Sequence, residues 1–123
     1  MSEEKNVCSG GTTLIFACSG AADVGEVSDR AARKLSKDGI GAMFCLAGVG
    51  GRIDPILKKT RSASKILAID GCPLNCVKGT LEQAGFGEFI HLQVADLGLE
   101  KGKSPANEEN IARVTARATE MLG

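Results

Sequence analysis

Short apolar runs alternate along the chain with segments whose apolar residues recur every three or four positions. Residues 12–17 (Thr-Thr-Leu-Ile-Phe-Ala) form the first run, bounded by Gly10-Gly11 and Cys18-Ser-Gly20, and suit a strand buried on both faces. Val24, Val27, Ala31 and Leu35 then stand among Asp, Glu, Arg and Lys, which predicts an amphipathic helix ending near Asp38-Gly39. The pattern repeats with a second strand over residues 41–46, a glycine-rich turn at Gly48-Val-Gly-Gly51 and a short helix through Ile56 and Leu57. A third strand centres on Ile66-Leu-Ala-Ile69. Asp70-Gly-Cys-Pro73 closes it and is expected to open a helix, because Pro is favoured at the first helical position, with Leu74, Val77, Leu81 and Ala84 as the buried stripe. Residues 89–95 read as a fourth strand, half-exposed because His91 and Gln93 alternate with apolar residues. Ser104-Pro105 then looks like a helix start, with Ile111, Val114, Ala118 and Met121 or Leu122 facing inward.

Strand followed by helix, four times over, implies parallel strands joined by right-handed crossovers with helices on both faces of the sheet. The expected fold is therefore α/β, a three-layer doubly wound sheet of the flavodoxin-like kind with strand order 2-1-3-4. Residues 1–11 read as a polar lead-in and residues 12–123 as one domain, in keeping with a chain of 123 residues.

Charge and composition narrow the function. Fifteen Lys and Arg against fifteen Asp and Glu leave no net charge to attract a polyanion. Four Phe with no Trp or Tyr leave little surface on which bases could stack, so nucleic acid is not an expected partner. The first six residues lack a basic flank and an apolar stretch, and no apolar run is long enough for a bilayer, so a cytoplasmic protein without a membrane partner is expected. In that compartment five cysteines do not read as a disulfide framework; metal binding or thiol chemistry is the better expectation.

The cysteines fall at particular places in the pattern. Cys18 ends the first predicted strand, Cys45 the second, and Cys72 lies just past the third. In a parallel sheet these ends share one edge, the edge at which open α/β sheets place their sites. Cys76 follows Cys72 by four residues and can face the same cluster. Four thiols there suit a tetrahedral Zn2+ ion, and a helix start favours the thiolate that a metal requires. N–H···S contacts from Ser19-Gly20 and Gly71-Cys72, with Lys78 or Arg52 nearby, would offset the charge of such a site. Buried free cysteine also acts as a small apolar residue, but chance burial has no reason to select strand ends.

Cys18-Ser-Gly-Ala-Ala-Asp-Val-Gly25, Met43-Phe-Cys-Leu-Ala-Gly48 and Asp70-Gly-Cys-Pro-Leu-Asn-Cys76 resemble, in order and spacing, the DGC-domain family, a group of proposed zinc-binding proteins named after the Asp-Gly-Cys motif. The similarity covers roughly residues 12–120. It implies that Cys18, Cys45, Cys72 and Cys76 are the chelators, and it implies little about activity. Cys8 lies outside the four-cysteine pattern and leaves room for an accessory thiol.

Other signals are weaker. The segment Gly98-Leu-Glu-Lys-Gly-Lys-Ser104 is one residue short of a phosphate-binding P-loop and follows the last strand instead of the first, so it reads as a solvated loop. Cys18 has no Arg in the following loop to clamp a phosphate, which removes a cysteine phosphatase. His91, the only histidine, falls within a strand and reads as structural or surface. Lys58, Lys59, Arg61 and Lys65 read as a solvent face. The leading expectation is a zinc module with a structural or carrier role; an iron–sulfur site is the alternative for the same thiols. A different class is a thiol redox or sulfur-transfer enzyme, with Cys72 as nucleophile and Cys76 as resolving partner.

Overall fold

Strand β1 (Thr13–Ala17) lies at the centre of a four-stranded sheet, with β2 (Ala42–Met43) on one side and β3 (Lys65–Asp70) on the other; β4 (Ile90–Gln93) closes the far edge. All three pairings are parallel, as the alternation of patterns predicts, and the order is β2-β1-β3-β4, the flavodoxin-like arrangement expected. The computed structural model describes residues 12–123, so the lead-in and Cys8 lie outside the described residues. Because side chains alternate across a strand, Ile15, Ala17, Leu67 and Ile69 face one side of the sheet and Leu14, Phe16, Ile66 and Ala68 the other. Helices α1 (Asp23–Lys37) and α5 (Glu108–Leu122) cover the first side, with Val24, Val27, Ala31, Leu35, Ile111, Val114 and Ala118 buried. The short helices α2 (Leu46–Gly50) and α3 (Asp54–Arg61) and helix α4 (Cys76–Gln83) cover the second side through Val49, Val77 and Leu81. Burial of such aliphatic side chains contributes about 1.5–3 kcal/mol each relative to exposure, which makes this layering the main source of stability.

Local expectations are corrected at four places. The second strand stops at Met43: the Phe44 N–H still donates to Ile15 O at 2.9 Å, but Cys45 then turns the chain and caps α2, so Gly48-Val-Gly-Gly51 lies mostly in a helix. Helix α4 begins at Cys76 and not at Pro73, since Asn75 is held in the left-handed region at φ 56°. Leu74 consequently leaves the buried stripe and is 77% exposed. The last helix starts at Glu108, because Asn107 and not Ser104 supplies the cap, its side chain accepting the Asn110 N–H at 2.9 Å.

The Gly98–Ser104 segment is a largely exposed loop, as expected, and it is pinned at two of its amides. Asp23 Oδ1 accepts the Gly102 N–H and Oδ2 the Ser104 N–H, each at 2.9 Å, while Oδ1 also accepts the N–H of Val24. The Gly102 and Ser104 amides hold the Asp23 carboxyl below its ordinary value. A lowered folded-state pKa stabilises the fold above the unfolded carboxyl's pKa, and that contribution fades as pH falls through the lower folded value. Asp23→Ala is accordingly expected to speed hydrogen exchange at the Gly102 and Ser104 amides near neutral pH, with the difference from the parent protein shrinking in strong acid. Equal exchange at neutral pH would remove Asp23 as the anchor.

Candidate functional site

The carboxyl ends of the parallel strands form one rim, and the cysteines lie along it. Cys18 follows β1 directly, and its N–H donates to Ile69 O at 3.0 Å, which extends the ladder and sets it beside the end of β3. Cys72 stands two residues past β3 and packs against the core under α1, whereas Cys18 packs against the core under α4; the two thiols thus reach the rim from opposite faces. Cys76 is the first residue of α4 and is exposed. Desolvation, followed by the negative charge of Cys18, Asp70 and Cys72, pushes the Cys76 thiol above its ordinary value. Cys18 and Cys72 are therefore each within electrostatic reach of Cys76.

Cys45 behaves differently. It caps α2, its Sγ accepting the Gly48 N–H at 3.3 Å, and its exposed side chain lines a groove beside the rim. Among the described residues, no three His, Cys, Asp or Glu side chains lie close enough together to hold a metal ion as they stand. One expected charge partner and the expected N–H···S donors are also placed elsewhere. Arg52 donates from Nη1 to Val49 O and Gly50 O and from Nη2 to Gln83 O, which ties the turn after α2 to the end of α4 instead of neutralising thiolates. The one N–H···S contact found among the described residues comes from Gly48 and not from the turns after β1 or β3.

A polar cluster that the motif reading missed fixes the Cys72–Cys76 turn. Asp70, the acidic residue of Asp70-Gly71-Cys72, is 1% exposed, and its Oδ1 accepts the Val77 N–H at 2.7 Å while Oδ2 accepts the Lys78 N–H at 3.1 Å. It caps α4 from the end of the neighbouring strand. His91 Nε2 lies 2.8 Å from the same Oδ2, so the histidine is a partner of this carboxylate. Gln93, one side-chain repeat further along β4, donates to Cys72 O at 2.9 Å and to Asn75 Oδ1 at 2.7 Å. The visible signal for all three was alternation: His91 and Gln93 share one face of β4, and the register pairs Ala68 with His91 and Asp70 with Gln93.

The groove beside Cys45 has a volume of about 750 Å³ and opens at the ends of β1 and β2. One wall comes from α1, where Arg33 Nε donates to Asp29 Oδ2 at 2.7 Å and Ser19 Oγ donates to Asp29 Oδ1 at 2.8 Å. Burial raises the Asp29 pKa, but the hydrogen bonds from Arg33 and Ser19 outweigh it and leave the carboxyl below its ordinary value.

A parallel rim bearing Cys18, Cys45 and the Asp70-Gly71-Cys72 turn agrees with the comparison of families, in which the DGC domain matches residues 14–118. The chain belongs to the DGC-domain family. A curated relative of this DGC domain is the Anaerobic and virulence modulator AnvM of Pseudomonas aeruginosa, 40% identical over 88 residues that span 72% of the chain and 67% of that protein. No solved structure matches the chain. Among the described residues of this DGC domain, no helix is long and apolar enough to cross a membrane.

Proposed function

We propose that this DGC domain is a metal-binding module, with zinc as its ion and Cys18, Cys45, Cys72 and Cys76 as its ligands. The observation that carries this reading is the shared rim: residues from three separated parts of the sequence follow the carboxyl ends of adjacent parallel strands and all bear thiols. The donor chemistry fits, because thiolate is a preferred ligand of zinc. The side-chain positions do not yet form a cage, so metal capture includes local movement, in which Cys45 gives up the Gly48 N–H and turns toward the other thiols. Bound by all four thiolates, zinc supplies a crosslink between strand ends and retains no water for hydrolysis, which supports a structural or carrier role. The raised Cys76 thiol runs against the thiolate expected at a helix start and bears equally on both readings, since a metal ligand and a nucleophile both act as thiolate.

Metal analysis joined to thiol counting before and after chelation tests the assignment. Colourless protein with about one equivalent of zinc is expected, and chelation should expose about four more reactive thiols. Cys72→Ser and Cys45→Ser should each lower occupancy and melting temperature together, whereas Cys8→Ser, outside the proposed set, should alter neither. Brown protein with visible charge-transfer absorption would reassign the site to iron and sulfur. Metal-free protein whose Cys72 alkylates rapidly would replace the reading with thiol chemistry.

A further inference from the structure

We propose that the groove beside Cys45 binds a free α-amino acid with an uncharged side chain, held as its zwitterion by Asp29 and Arg33. Arg33 is fixed through Nε to Asp29, and among the described residues neither of its Nη groups makes a hydrogen bond. Its side chain is 68% exposed against 20% for Asp29, so the outer edge of the guanidinium stays open to a carboxylate in the paired geometry that arginine favours. Asp29 is locked from two sides, by Ser19 and by Arg33, and each carboxylate oxygen retains a lone pair for an ammonium donor.

Charge selects the ligand class. The Asp29–Arg33 pair is neutral as a unit, so a simple anion drawn to Arg33 is repelled by Asp29, and a simple cation meets the reverse. A zwitterion places opposite charge on both, which makes the discrimination one of repulsion as much as attraction. Met43, Leu46 and the Cys45 thiol offer an apolar and sulfur-rich surface for the rest of the ligand. The volume lies within the range of about 300–1,000 Å³ usual for small-molecule sites, and the ends of parallel strands are where open α/β sheets bind ligands. Neither Asp29 nor Arg33 is a proposed metal ligand, so the charge selection needs no zinc; Cys45 belongs to both readings, and the titration is therefore repeated after chelation, failure in both forms overturning this proposal alone.

The test is titration of L-methionine into the protein as purified, followed by backbone amide shifts. Saturable shifts are expected at Ser19, Arg33 and Leu46. N-acetyl-L-methionine, without the ammonium, and L-methionine methyl ester, without the carboxylate, should each bind about tenfold more weakly or worse. Arg33→Gln and Asp29→Asn should weaken methionine binding by a similar factor, while Arg30→Gln, on the same helix but outside the groove, should leave it unchanged. Absence of saturable shifts up to about 50 mM, a concentration that would still detect very weak binding, overturns the proposal. So does equal affinity for the two blocked analogues or undiminished binding by Arg33→Gln.

Discussion

Asp70→Ala is expected to lower the stability of the fold by about 3 kcal/mol, because a buried charged acceptor is removed from several donors at once. For a domain of this size that corresponds to a melting temperature lower by about 10 °C or more. The carboxylate receives the Val77 and Lys78 amides at 2.7 and 3.1 Å and lies 2.8 Å from His91. Alanine leaves two first-turn amides of α4 without a partner, that of Val77 buried and that of Lys78 half-buried, and the buried donor then carries its full desolvation cost. Asp70→Asn is the graded control. It keeps the shape and one carbonyl oxygen for Val77, but turns a donor toward Lys78 or His91, so an intermediate loss is expected. Thermal unfolding ranks the three proteins, and hydrogen exchange locates the effect at Val77 and Lys78. A melting temperature for Asp70→Ala within about 2 °C of the parent would mean that the cap contributes little, since such a shift is below 1 kcal/mol. The same cap orients the turn between Cys72 and Cys76, so under the zinc reading occupancy should fall along with stability.

This carboxylate also marks where sequence reading stopped. Runs such as Leu-Ile-Phe-Ala and Ile-Leu-Ala-Ile disclosed buried strands, and the three- and four-residue spacing of Val24, Val27, Ala31 and Leu35 disclosed α1, because both signals are contained within a few neighbouring residues. The order β2-β1-β3-β4 matches the flavodoxin-like arrangement expected by analogy, since right-handed crossovers limit the topologies without fixing one. The start of α4 was not legible in the same way. Pro73 is a local signal, but the cap comes from Asp70 on the preceding strand, and Asn75 at φ 56° breaks the spacing that tied Leu74 to Val77. At Gly48-Val-Gly-Gly51 the glycines suggested a turn, yet Cys45 caps a helix there and Gly48 lies under Ile56, where a Cβ would come within 2.7 Å of Ile56 Cγ1. For the candidate site, strand ends were readable and side-chain directions were not. The pattern put Cys45 at the rim but could not show its sulfur bonded to Gly48 and lining a groove.

Gly71→Ala is expected to be the more disruptive of two otherwise similar glycine substitutions, by about 2–4 kcal/mol, because it overpacks a contact between two backbones. A Cβ at position 71 would lie 2.5 Å from Val24 O, 2.7 Å from Val24 C and 3.1 Å from Gly25 N. None of these atoms is the end of a flexible side chain. Relief requires the first turn of α1 to move away from the end of β3, but that turn is itself held closely: a Cβ on Gly25 would meet Gly20 O at 2.7 Å, and Asp23 anchors the 102–104 loop. The strain therefore spreads to the turn bearing Cys18 and to Cys72, adjacent to the substituted residue. Gly79, inside α4, provides the contrast, since nothing lies within 4 Å of the Cβ it would gain. Gly79→Ala should raise stability by up to about 1 kcal/mol, through helix propensity and a less flexible unfolded chain. Denaturant titration of the two variants reads both signs. Equal stability of Gly71→Ala and the parent would show that α1 and β3 can separate without cost, and the close-packed joint beneath the cysteine rim would then not be a fixed element of the site.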